Sequence, residues 1–199
     1  MKINLSSNYR RIILSSLIIA AIVFLTYVSV RSFWADMYYR RAKKFSLNLA
    51  SWKKAAVQYE KAISILPGNA TYHEEAGRLY SKLFMLYQNE DYFKKAVYHF
   101  RKSYQLNPYN AWSHYYLAWT YWNREMYTEA EKEAKKAIQL DPNNATYHWQ
   151  LASIYERMGK LEQAIDEYKK VLRILPGYSK AKEMIKKIEE KLKGKIQSA

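Results

Sequence analysis

The chain has 199 residues, 26% charged and 49% hydrophobic, a balance that suits a folded chain and not a disordered one. It has no cysteine, which excludes disulfides, thiolate metal sites and a cysteine nucleophile. Its 33 lysines and arginines against 18 acids give a net charge of +15. Of this, +4 falls in residues 1–35 (Lys2, Arg10, Arg11 and Arg31, with no acid) and +11 in the rest. Nucleic acid is a usual partner for such basicity, but it is not expected here, because the lysines are mixed with glutamates as on solvated helix faces.

After a short basic tail (1–11), Ile12 to Val30 reads IILSSLIIAAIVFLTYVSV, 19 residues without a charge. As a helix this run spans about 28 Å, close to the hydrocarbon thickness of a bilayer. Arg10 and Arg11 flank one end and Arg31 the other, with Tyr9, Tyr27, Phe33 and Trp34 at the levels of an aromatic belt. A cleaved signal peptide is the alternative; the run is longer than a usual signal core, and no small-residue cleavage site follows it. A transmembrane helix over 12–30 is therefore expected. Basic residues lie on both sides, so charge does not orient the span. No Gly or Pro occurs between the span and Pro67, which predicts a stiff stalk running unbroken into the next helix. A basic domain held this close to a bilayer can also lean on anionic head groups.

The remainder repeats itself. Pro67, Pro108, Pro142 and Pro176 close the windows AVQYEKAISILPGN, AVYHFRKSYQLNPYN, AEKEAKKAIQLDPNN and AIDEYKKVLRILPGY. The last three prolines are 34 residues apart and the first gap is 41. A fixed period of this size marks an array of supersecondary units. Helical spacing appears twice per unit. In the third unit the helices are predicted over 111–123 and 127–139, and in the fourth over 145–157 and 161–173. Asn and Asp next to the prolines signal helix starts.

Counted from each first helix, the third unit places His114, Leu117, Ala118, Tyr121, Ala130, Ala134, Ala137 and Pro142 at positions 4, 7, 8, 11, 20, 24, 27 and 32. The fourth places His148, Leu151, Ala152, Tyr155, Ala164, Tyr168, Val171 and Pro176 there. The second has His73, Ala76, Gly77 and Tyr80, then seven extra residues, then Ala96, Phe100, Ser103 and Pro108. Seven residues are close to two helical turns, so the helices are expected to lengthen in phase. The first unit keeps Ala55, Tyr59, Ala62 and Pro67, but its first helix, expected from Asp36 to about Leu49, has Lys43 and Ser46 at the small and Tyr positions. This pattern resembles the tetratricopeptide repeat (TPR) over roughly residues 36–177, divided 36–68, 69–109, 110–143 and 144–177. The resemblance implies an all-α right-handed superhelix with a concave groove. Ala181, Met184, Ile185, Ile188 and Leu192 then make an apolar stripe, predicting a capping helix over 178–195.

Catalytic and cofactor chemistry is not expected. His73, His114 and His148 recur at one repeat position, about one unit apart and too far to share an ion; packing is the expected role. No phosphate-binding loop and no catalytic carboxylate pair stands out. Asn69-Ala70-Thr71 and Asn144-Ala145-Thr146 match a glycosylation acceptor but fall on helix starts that the repeat supplies anyway.

In the family, positions 2, 5, 9, 12 and 13 of each first helix line the concave wall. The resemblance therefore implies a groove of Trp112, Tyr115, Trp119, Trp122 and Asn123 in the third unit, with Trp149 and Arg157 from the fourth and Arg78 and Lys82 from the second. Aromatic stripes commonly belong to cores, but here positions 4, 7, 8 and 11 already supply one. The paired Lys and Asn pattern by which some family members clamp a C-terminal carboxylate is missing. Ala35-Asp36-Met37-Tyr38-Tyr39-Arg40-Arg41-Ala42 with the 41-residue unit is also similar to the tail of O-antigen ligase and polymerase-type membrane proteins. That similarity implies an extracytoplasmic array and an accessory role beside a polytopic envelope protein. The leading reading is a single-pass membrane scaffold that binds a protein partner and is not an enzyme. A groove for a glycan or lipid-linked sugar, and a homo-oligomeric element, are the other classes.

Overall fold

The computed structural model describes residues 7–197; Lys2 and the rest of the predicted tail up to residue 6 lie outside the described residues. The described residues form nine α-helices and one 3₁₀ turn, and no strand occurs among them. They divide into two compact units, 1–68 and 69–199.

The first unit holds α1 (Ser7–Phe45), a 3₁₀ turn (Leu49–Ser51) and α2 (Trp52–Ile65). With no Gly or Pro to break it, α1 runs for 39 residues, about 58 Å. Its stretch Tyr9–Phe45 is long and apolar enough to cross a membrane, and none of its most apolar window is buried by the protein. The hydroxyls of Ser15, Ser16, Thr26 and Ser29 donate to carbonyls three or four residues back in the same helix. These four hydroxyls are thus satisfied within the helix, as a lipid surrounding would require.

Further along, α1 packs on α2 through Ala35 and Ala42, both fully buried, against Ala55, Tyr59 and Ala62. Tyr39 packs on Tyr59 with ring centroids 6.0 Å apart, and the Arg31 guanidinium donates to the Ile65 carbonyl. This seam corrects the predicted register. Ala42 takes the small position and Phe45 the Tyr position, while Lys43 is exposed and Ser46 follows the helix. The helix ends at Phe45 and not near Leu49. Phe45 lies ten residues before Ala55, whereas Tyr121 lies nine before Ala130 and Tyr155 nine before Ala164, so counting back from Pro67 lands one residue late. The alanines and tyrosines of the 35–42 motif are accounted for by this seam.

In the second unit, α3 (Ala70–Tyr87), α4 (Glu90–Leu106), α5 (Ala111–Asn123), α6 (Tyr127–Leu140), α7 (Ala145–Arg157) and α8 (Leu161–Ile174) pack in consecutive pairs, followed by α9 (Ser179–Gln197). Asparagine opens four of these helices. Asn69, Asn89, Asn110 and Asn144 each accept, through the side-chain oxygen, a backbone N–H two residues on, which supplies a partner for an otherwise orphaned helix-start donor. Asn69 and Asn144 thus serve as caps. The insertion in the second repeat lengthens both helices to 18 and 17 residues, against 13 and 14 in α5 and α6. Only Gln88 and Asn89 connect them, with Gln88 in the left-handed region at φ 50°.

Small residues set the approach of paired helices. Ala118, Ala130, Ala134, Ala137, Ala152 and Ala164 are fully buried. At Gly77 an added Cβ would lie 2.9 Å from the Phe100 ring, itself fully buried, so glycine there is the partner of a large residue opposite. The predicted stripe of α9 is the face it turns inward, with Ala181 and Ile188 buried and Met184, Ile185 and Leu192 half-buried.

The recurrent histidines are buried inside the helix pairs. His114 Nδ1 donates to Glu133 at 2.7 Å and His148 Nδ1 to Glu167 at 2.6 Å. Lys136 and Lys170 donate to the other oxygens of these carboxylates. In the longer pair, His73 faces His99 with Nδ1 atoms 3.0 Å apart, so one nitrogen donates and the other accepts. Among the described residues no three His, Asp or Glu side chains gather as a metal would need.

Candidate partner-binding groove

The α5 sequence AWSHYYLAWTYWN is apolar nearly all round, so it buries one side and leaves aromatics on the other. Leu117 and Ala118 are fully buried, while Trp112 is 41% exposed and Tyr115, Tyr116 and Trp119 are half-buried. Trp112 is the hub. Its ring lies 5.3 Å from Tyr115, 5.8 Å from Tyr116 and 5.3 Å from Tyr147 of α7, mostly edge to face. Such pairs are worth roughly 0.5–1.5 kcal/mol beyond burial, so this platform is held rigid before any ligand arrives.

Three cations reach across helices onto these rings. The Arg78 guanidinium of α3 lies 4.6 Å above Tyr116, Arg157 of α7 lies 5.5 Å from Trp122, and Lys180 of α9 lies 5.5 Å from Trp149. Each contact ties one first helix, or the cap, to its neighbour. Arg78 also pairs with Glu75 at 3.2 Å.

The nine expected groove residues therefore fall into separate groups. Arg78, Lys82, Tyr115 and Trp119 meet around one recess of about 150 Å³, together with Ser81 and Tyr116. Trp112 borders it through Tyr115 and Tyr116. Trp119 is half-buried and has no ring or cation partner among the described residues. Trp122 is half-buried under Arg157, and its indole Nε1 is buried with no hydrogen-bond partner among the described residues. Asn123 donates its amide to the Trp119 carbonyl at 2.7 Å, inside its own helix. Trp149 is enclosed by Tyr168, Tyr178 and Lys180. Tyr116 escaped the sequence reading because it lies between the wall positions; its spacing of four from Trp112 is the signal that shows it.

The recess offers hydrogen bonding, charge and an aromatic face. Burial raises the Tyr115 pKa, and Tyr116 adds to it. Burial also raises the Tyr116 pKa, partly offset by Arg78. Both phenols therefore stay neutral hydrogen-bonding groups beside two cations and an indole, with no nucleophile and base arranged to react.

The tetratricopeptide-repeat model matches residues 111–144 and 145–178. No curated protein sequence matches the chain. Among solved structures, a MamA protein is similar at 22% identity over 79% of this chain and 81% of its own, with a TM-score of 0.68. TTC0263, a thermophilic TPR protein of Thermus thermophilus, is similar at 20% identity over 77% and 80%, with a TM-score of 0.65. The first TPR of Spaghetti (RPAP3), solved bound to the HSP90 peptide SRMEEVD, is similar at 23% identity over 62% and 92%, with a TM-score of 0.54. These likenesses establish the fold. Two repeats, over residues 111–178, thus match the tetratricopeptide repeat in sequence, and the helix-pair array shares the fold of solved TPR proteins.

Proposed function

We propose that the chain is a membrane-anchored scaffold whose TPR array holds a segment of a partner protein in the recess around Trp119. The observation that carries this reading is the recess itself: a half-buried indole and two tyrosines beside Arg78 and Lys82. Tryptophan and tyrosine that close onto a partner are frequent hot spots, each worth about 2 kcal/mol or more. The RPAP3 structure supports the reading as an instance of this fold accepting a peptide. The anchor is α1, exposed and apolar over a membrane-spanning length. An anchor of this kind puts polytopic membrane proteins within reach, and an accessory role beside an envelope enzyme is the finer form of the proposal.

The test is affinity capture of the full chain in mild detergent, wild type against Trp119→Ala/Lys82→Gln. Both sites are at the surface, so the variant is expected to stay folded by circular dichroism. Loss of a specific partner from the folded variant supports the recess. A partner set that does not change contradicts it.

A further inference from the structure

A second surface stands apart from the recess. The outer face of α4 borders a cleft of about 460 Å³ closed by Tyr121 and Met126. Its floor is apolar, with Phe93 and Tyr121 9% and 6% exposed. Its rim is cationic, with Lys94, Arg101 and Lys102 all exposed. Arg101 donates to the Tyr121 hydroxyl at 3.2 Å, which leaves the rest of its fork to the cleft.

The repeat supplies an internal control for this charge. Where α6 carries Glu129, Glu131 and Glu133, α4 carries Lys95, Val97 and His99, 34 residues earlier. Where α8 carries Glu162, Asp166 and Glu167, α4 carries Lys94, Tyr98 and His99, 68 residues earlier. Three lysines of α6 and α8 are paired with these acids, Lys135 with Glu131 at 2.6 Å, Lys136 with Glu133 at 3.1 Å, and Lys170 with Glu167. Lys102 and Arg101 occupy the positions of Lys136 and Lys135, and neither they nor Lys94 has a carboxylate partner among the described residues. Arg101 does sense Glu133, but that carboxylate is held by His114 and Lys136. The two acids of α4, Glu90 and Asp91, lie in its first turn, and Glu90 is bridged to Arg124. Of the second helices α4, α6 and α8, α4 alone thus lacks the acids that its two counterparts use.

We infer that the α4 cleft is a docking site for an acidic segment of a protein, in which an apolar side chain enters over Phe93 and Tyr121 while flanking carboxylates meet Lys94, Arg101 and Lys102. Charge complementarity selects an anionic partner. The recessed floor favours a chain segment over a membrane surface, because a planar bilayer needs apolar groups that protrude. Arg101 offers the planar fork that binds carboxylates in pairs. This site is independent of the Trp119 recess, and its failure leaves the proposed function standing.

The test uses the full chain in neutral detergent and a fluorescent peptide with one leucine between paired glutamates. Binding is followed by anisotropy, with a glutamine-for-glutamate peptide as control. Lys94→Gln/Arg101→Gln/Lys102→Gln is compared with Lys182→Gln/Lys186→Gln/Lys191→Gln, which removes equal charge from α9. The expected result is a tenfold or greater loss of affinity in the α4 variant, less than threefold in the α9 variant, and none with Trp119→Ala. Equal losses in the α4 and α9 variants would overturn the site in favour of general electrostatics. So would a peptide that fails to bind, or retention only on micelles doped with phosphatidylglycerol.

Discussion

The α3–α4 pair and the α5–α6 pair are built on one repeat but resolve it differently. In α5–α6 the small residues Ala118 and Ala134 face each other, and the buried polar position is a His114–Glu133 pair. In α3–α4 the same positions are Gly77 with Phe100 and His73 with His99. The first exchange is steric: the missing Cβ at Gly77 lets the Phe100 ring lie against the α3 backbone. The second does not conserve charge, because replacing Glu133 by His99 removes a carboxylate and leaves the α4 lysines unbalanced. A repeat therefore fixes where side chains meet while leaving open which chemistry they bring, and the α4 surface acquired its character through that freedom.

The largest expected effect tests the steric exchange. Phe100→Ala should destabilise the chain by roughly 3–5 kcal/mol in chemical denaturation, since it empties a fully buried site. Adding Gly77→Ala to it, which reproduces the alanine pair of α5–α6, should recover part of that loss. Gly77→Ala alone should cost roughly 1–3 kcal/mol, because its Cβ would press on a ring that has no room to retreat.

The charge exchange is tested by acid. Burial alone would raise the Glu133 pKa, but hydrogen bonds from His114 and Lys136 outweigh it and hold the carboxyl below the ordinary range. A folded-state pKa below the unfolded one gives stability that is fully present above the unfolded value of about 4.3 and is lost as pH falls through the folded value. Glu133→Gln should therefore cost roughly 1–3 kcal/mol near neutrality, and its deficit against wild type should shrink as the pH is taken below about 4. A deficit that stays constant through that window would contradict the assignment. The smallest effect compares the third and fourth units. Glu125 and Gly159 end equivalent helices in the left-handed region, at φ 63° and 74°. Glu125→Gly should be stabilising by roughly 0.5–1 kcal/mol, read as a rise in thermal midpoint.

The helices of the third and fourth units were legible almost to the residue, because Asn caps, the prolines and the Ala/Tyr spacing all agree there. The first unit was misread by one residue, since its longer connection leaves no mark in the spacing of Ala55, Tyr59 and Pro67, and only the buried Ala42 reveals it. The partnerships of the expected groove residues were not legible in the sequence. Position rules place Trp122 and Trp149 on the wall, yet they cannot show that Arg157 and Lys180 cover them. Those cations come from other helices, and their reach depends on packing. Glu133 and Glu167 likewise look like members of solvated charge runs until the pairing of helices buries them against histidines.

The most direct test of the central claim is site-specific photocrosslinking in the native membrane, with a photoreactive residue at Trp119 and, for comparison, at exposed Val57 of α2. The account predicts a defined crosslinked species from position 119 that position 57 does not give. Crosslinks from position 57 or from α1 with none from 119 would contradict a partner seated in the recess.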